Sequence, residues 1–310
     1  MARDRYDAGV GQGPHARVSR RRALALLGAA GVAAGCERRS PSVDPAPAAN
    51  TAPLATGRAP VLFVGHGSPM NAIEDNRWSR AQRELGQRLA RPRAILCVSA
   101  HWYVRGTFVT AQARPRTIHD FGGFPRALHE VEYPARGDGA LAGRVAGLLS
   151  AARGEAREDW GLDHGAWSVL VRMRPEADVP VLQLSIDRGA TLASHVAIGR
   201  ALRPLRDEGV MILASGNVTH NLRHAFGGGG ETPAWARDFD RDLARALEQR
   251  DERWLLGALD GDAGKSSHPT PDHFLPVLYA FGASAEGDRL SFPVEGFDMG
   301  SLSMRSALFG

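Results

Sequence analysis

The chain has 310 residues, 43% of them hydrophobic, enough for one large domain or two small ones with a sizeable core. Its formal charge of +4 sits in the first 57 residues, where eight arginines face Asp4, Asp7, Glu37 and Asp44; the remainder is formally neutral, which argues against a nucleic-acid-binding face on the folded part. The two cysteines, Cys36 in the leader and Cys97 in an apolar run, argue against a disulfide framework.

Ser19-Arg20-Arg21-Arg22 precedes an apolar run from Ala23 to Ala34. That run is too short to span a bilayer but suits the core of a signal peptide. Paired arginines in front of it resemble a twin-arginine export signal. Ala33-Ala34-Gly35-Cys36 resembles a lipoprotein cleavage box, in which Cys36 would be acylated and attach the protein to a membrane. Residues 37–57, rich in Pro, Ala and Ser, read as a flexible tether. The expected organisation is an export signal over 1–36, a tether over 37–57 and a folded domain over 58–310. Export to the periplasmic or extracytoplasmic side follows from this leader; if the leader is an uncleaved basic tail, the protein stays cytoplasmic.

The folded part opens on Pro60–Met70, PVLFVGHGSPM. Four consecutive apolar residues, Val61 to Val64, predict a strand buried on both faces, with His66 just beyond its C-terminal end. Asp75 or Asn76 can cap a helix whose apolar face includes Trp78, Ala81, Leu85 and Leu89. Ala94–Ala100 predicts a second buried strand, ending in His101-Trp102. Strand, helix and strand then bring both histidines to one edge, where open α/β sheets build their sites.

Thr107–Gln112 alternates like a strand at the rim. Thr117 to Phe124 is a polar and aromatic loop in which His119 could hydrogen-bond a substrate or merely Asp120. A helix with Leu141, Val145, Leu148 and Leu149 on one face follows. Asp163-His164-Gly165 opens another helical run to Met173; a neutral imidazole at that N-terminus can act as a base. Val179–Ile186 and Val210–Ala214 predict two more buried strands, around a helix over Ala190–Leu205. The second leads to His220. Trp235–Ala258 reads as mostly helical. Pro271 suits the first turn of a last helix, with His273 in that turn and His268 in an exposed loop. Short strands around Gly296 and Gly300 complete the chain. The fold class is therefore α/β, a single domain with a central, largely parallel or mixed sheet flanked by helices.

His66, His101, His164, His220 and His273 all lie at strand ends or helix starts. Three or four of them converging would make a nitrogen-rich site for a divalent transition metal, zinc or iron. Walker, dinucleotide and GxSxG motifs are absent. GHGSPMNAIEDN, VSAHW, TIHDFGGFP, DHGAW, ASGNVTHNLR, PTPDHFLP and GSLSM together resemble the 4,5-DOPA dioxygenase group of class III extradiol ring-cleavage dioxygenases. The resemblance runs in order from about Pro60 to the C-terminus.

It implies a single α/β domain around a mixed sheet. It implies metal contacts at His66, His101, His220 and His273, and an acid–base role for His164, with His164 and His220 open to exchange of roles. Fe(II) is the implied metal for dioxygenase activity, and Zn(II) suits the same all-histidine set. The implied partners are a small catechol and O2, and the implied product is a muconic-semialdehyde-type compound. Phe121, Phe124 or Trp102 would pack on the substrate ring or in the core. Two rival readings are a zinc hydrolase using His66, His101 and His273, and a non-catalytic, anchored metal-binding protein.

Overall fold

Strands without a polar face must be covered on both sides, and four such strands make the centre of the sheet. The computed structural model describes residues 57–227 and 230–310. The expected export signal, the Cys36 lipidation site and all but the last residue of the tether lie outside the described residues. The strands are β1 (Val61–Gly65), β2 (Ala94–Val104), β3 (Phe108–Thr110), β4 (Glu155–Arg157), β5 (Val181–Asp187), β6 (Val210–Gly216), β7 (Leu290–Val294), β8 (Phe297–Asp298), β9 (Leu302–Ser303) and β10 (Ser306–Phe309). Eight of them form one sheet in the order β4-β3-β5-β2-β6-β1-β10-β7. The β5-β2-β6-β1 block is parallel, whereas β10 pairs antiparallel with both β1 and β7. The sheet is thus mixed and flanked by helices, as the pattern implies.

Side chains alternate between the two faces of each central strand. Val61 and Phe63 enter one core with Leu141, Val145, Val196, Leu243 and Tyr279, from four helices on that side. Leu62 and Val64 enter the other, with Leu85, Trp167 and Leu170 from the helices Arg77–Arg88 and His164–Met173. Asn76 caps the first of these helices, accepting from the backbone of Trp78 and Ser79.

Several elements differ from expectation. β1 and β2 are not neighbours, because β6 lies between them. β2 does not stop before His101 but runs to Val104, with a register shift against β5 between Val98 and Tyr103. Such an irregularity re-aims side chains, and His101 falls within it. The helix expected over Ala190–Leu205 is two, Leu192–Ala201 and Arg203–Asp207, since Pro204 removes a donor and crowds the preceding turn. The run Trp235–Ala258 is likewise two helices, Ala234–Glu248 and Glu252–Gly257, separated at Arg250 with φ of 53°. The last helix, Leu275–Ala283, begins after His273, and its first-turn proline is Pro276 rather than Pro271. No described helix is long and apolar enough to cross a membrane.

Candidate metal centre and active site

The C-terminal ends of β1 and β6, the irregular part of β2, the start of the helix His164–Met173 and the turn before Leu275–Ala283 meet at one edge of the sheet. His66 follows β1 and is buried. Its Nδ1 lies 2.9 Å from the Ser215 Oγ, on the intervening strand β6. Ser215 donates its own proton to the Gly165 carbonyl at 2.6 Å. The hydroxyl can therefore only accept from His66, so Nδ1 carries the hydrogen and Nε2 keeps its lone pair. That Nε2 faces the His101 Nε2 at 3.4 Å.

His273 repeats the arrangement from another element. Its Nδ1 is bonded to the Asp272 carboxylate, and its buried Nε2 has no hydrogen-bond partner. The ring centroids of His66, His101 and His273 lie 5.2, 5.1 and 5.0 Å apart, close to an equilateral triangle. Three imidazoles held about 2.1 Å from a tetrahedral ion would place their centroids roughly 5 Å apart. Two imidazole Nε2 atoms brought to 3.4 Å of each other and an orphaned buried nitrogen on His273 are what a divalent cation would satisfy, so these residues fit a metal.

His164 also enters the cluster. Its ring centroid is 3.7 Å from that of His101, and ligand atoms of His66, His101 and His164 all lie within 4.8 Å of one another. His220 stands to the side, stacked on His273 with centroids 3.4 Å apart and planes 3° from parallel. All five candidate histidines are thus brought together, but in a different grouping: His164 joins His66 and His101 more closely than His220 does.

Two close approaches make room for this. Gly216 lies against the His273 carbonyl, where a Cβ would collide. A Cβ on Gly165 would meet the Ser99 hydroxyl and stand 2.8 Å from the His101 Cδ2. Asp163, fully buried, caps the helix by accepting from the Ala166 N–H at 3.3 Å and takes bonds from the Ser99 hydroxyl and the Gln183 amide. Burial, followed by the nearby charge of Asp120, pushes its carboxyl up to about 6.

Burial also keeps the imidazoles neutral. His101 is pushed down to about 3 by burial and then by His164, with Asp120 acting in the opposite sense. His220 falls to about 4 through burial. Burial and neighbouring imidazoles hold His66 and His273 well below the usual histidine range. Neutral imidazoles are the form that binds metal or accepts a proton.

Asp120 is the site residue absent from the expected set. Its Oδ2 lies 3.0 Å from the His164 Nδ1 and 3.5 Å from the His101 Nδ1, and its Oδ1 accepts the His164 backbone N–H at 2.9 Å. Burial would raise this carboxyl, yet the bonds and charge of His164, with the charge of His101, hold it below the usual carboxylate range. The preceding residue, His119, sits apart from the metal-ligand cluster: its Nε2 bonds the Val131 carbonyl at 3.0 Å, and its ring lies against Trp167 and Phe121. It does not bond Asp120.

Phe121 is half-buried, its ring edge-on to His164 with centroids 5.4 Å apart, and touches Phe124 and His129. Trp102 instead stacks on Trp160 and is buried. His268, expected in an exposed loop, is buried and bonded to the Val218 carbonyl at 2.7 Å.

Comparison with known proteins bears on the chemistry. A model of the catalytic LigB subunit of aromatic ring-opening dioxygenase matches residues 60–309. An Escherichia coli (strain K12) protein named 4,5-DOPA dioxygenase extradiol is 48% identical over 262 residues, covering 83% of this chain and 97% of its own. A Beta vulgaris protein of the same name is 36% identical over 255 residues, covering 80% and 95%. The crystal structure of an uncharacterized protein from Escherichia coli K12 superposes with a TM-score of 0.72 at 44% identity, covering 82% of this chain and all of the other.

Proposed function

The chain belongs to the family of the catalytic LigB subunit of aromatic ring-opening dioxygenases, and from that premise we propose that it opens a DOPA-like catechol beside its paired hydroxyls, giving a muconic-semialdehyde-type product. The observation that carries the metal dependence is the pair of Nε2 atoms of His66 and His101, face to face at 3.4 Å, with the His66 Nδ1 already committed to Ser215. His66, His101 and His273 would hold a non-haem divalent metal, Fe(II) for ring cleavage, with Zn(II) able to occupy the same nitrogens. Bound there, the metal supplies the centre at which catechol and O2 exchange electrons.

His164 is assigned the proton transfer. It starts a helix beside the His101 ring and stands 3.0 Å from the Asp120 carboxylate through its Nδ1, within reach of a catechol held at the metal. Phe121, edge-on to His164, is placed to pack against the substrate ring. The buried surroundings keep the neighbouring imidazoles neutral and exclude water from the charge that develops.

The test is to load the protein anaerobically with Fe(II), and separately Zn(II), then add air and a panel of catechols including DOPA. Oxygen uptake with a yellow product is expected from the iron form alone. His101→Ala is expected to lose metal and turnover together, by more than the roughly 10–100-fold of an outer-shell change. His164→Gln is expected to retain metal and lose turnover; loss of metal there would move His164 into the ligand set. No uptake across the panel would overturn the reading.

A further inference from the structure

We infer that Asn217 is a positioning residue for the metal centre, its side chain fixing the loop of His66 against the turn of His273. The inference rests on the reading above, in which both of these rings hold the metal. The parallel ladder between β1 and β6 ends at Gly65 and Gly216. Its last rung is the His66 N–H, which donates to the Gly216 carbonyl at 2.9 Å. At Gly67, with φ of 62°, the chain turns out of the sheet. The buried N–H of Gly67 is met by a side chain in place of a strand carbonyl: it donates to the Asn217 Oδ1 at 3.4 Å.

Asn217 is fully buried and holds two further segments. Its own N–H donates to the His273 carbonyl at 3.0 Å, and its Nδ2 donates to the Ser303 carbonyl at 2.9 Å. A backbone N–H only donates and a carbonyl only accepts, so these partners fix which way the amide faces. One residue thereby joins the loop after His66, the turn that carries His273 and the strand β9. Those two loops deliver rings whose centroids stand 5.1 Å apart, and a metal held between them depends on that spacing. An aliphatic side chain of the same size satisfies neither the Gly67 donor nor the Ser303 acceptor. A plainer role is that the amide only stabilises the fold, by pairing a buried N–H that would otherwise lack an acceptor. Metal affinity separates the two roles, because fold stabilisation alone leaves the affinity of the folded protein unchanged.

The experiment compares the full chain as wild type, Asn217→Ala and Arg206→Lys. Arg206 lies at the other end of β1, bonded to the Ala59 carbonyl and to Asp288, so its substitution controls for lost stability alone. Zinc affinity is read by competition with a chromogenic chelator, and the geometry of the ligands by the visible absorption bands of the cobalt(II) form. The expected result is a 10–100-fold loss of zinc affinity in Asn217→Ala, the size of an outer-shell change, with shifted cobalt bands; both are expected to stay at wild-type values in Arg206→Lys. An Asn217→Ala protein that melts lower but keeps the wild-type zinc affinity and cobalt bands would overturn the inference, as would an equal loss of affinity in Arg206→Lys. Should Asn217→Ala not fold, Asn217→Ser, one bond shorter than asparagine but still polar, gives the same contrast. Failure of the wild type to bind zinc or cobalt would overturn the metal reading and this role for Asn217 with it, whereas unchanged affinity in the folded variants overturns the role alone.

Discussion

At the scale of single residues, the site is built from side chains whose polar atoms are committed in pairs. Ser215 spends its proton on Gly165 and its lone pair on His66, and Asp272 occupies the Nδ1 of His273. What remains is a set of nitrogens aimed at one another and one aromatic wall. Truncation of that wall, Phe121→Ala, should raise the KM for a catechol about five- to tenfold, the ~1 kcal/mol of one aromatic contact, with kcat little changed. Steady-state kinetics decide it; a fall in kcat at constant KM would mean that Phe121 supports His164 and not the substrate. The five site histidines were legible because each follows an apolar run or opens a helix. Asp120 was not, because an acidic residue in a loop leaves no periodic trace, and its partners are 19 and 44 positions away. His268 was misplaced for a related reason: nothing local signals that the Val218 carbonyl waits for it.

At the scale of elements, the helix His164–Met173 and the strand β2 are in contact at a glycine. Alanine at Gly165 would push its Cβ against the Ser99 hydroxyl and to 2.8 Å from the His101 ring. Overpacking of this kind costs about 1–3 kcal/mol. Gly165→Ala should therefore lower the denaturant midpoint and, by shifting His101, also lower the metal retained after dialysis. A midpoint equal to wild type would show that the strand and helix separate without cost. The buried strands were readable from their unbroken apolar residues, and so was the capped start at Asp163. The break at Arg250 was not, since it contains neither glycine nor proline and leaves the helical periodicity intact. Nor was the position of β10, whose four residues carry no information about which strand they will pair with.

At the scale of the whole molecule, the described part carries six histidines, His66, His101, His195, His220, His268 and His273, whose protonation is opposed by burial. Their folded pKa values lie below the unfolded 6.5, so below that pH the unfolded chain binds more protons and stability falls as pH falls. Asp163, raised to about 6 by burial, acts in the opposite sense between its unfolded value and pH 6, but it is one group against six. The melting temperature of the metal-free protein should be level above pH 7 and drop steadily from pH 6.5 to 4.5. A flat profile through that range would contradict the buried, neutral cluster. The mixed sheet has a consequence of another kind. β1, which delivers His66, gains its second neighbour only from β10, so Val61 waits for Phe309, almost the full length of the described chain later. During synthesis the edge of β1 stays open until β10 leaves the ribosome. Ladders between such distant segments close slowly. The nascent chain therefore carries β1 with an unfinished edge from the synthesis of Gly65 to that of Ser306, and all four apolar strands with it once β6 is made at Gly216, which gives chaperones an opportunity and aggregation a window.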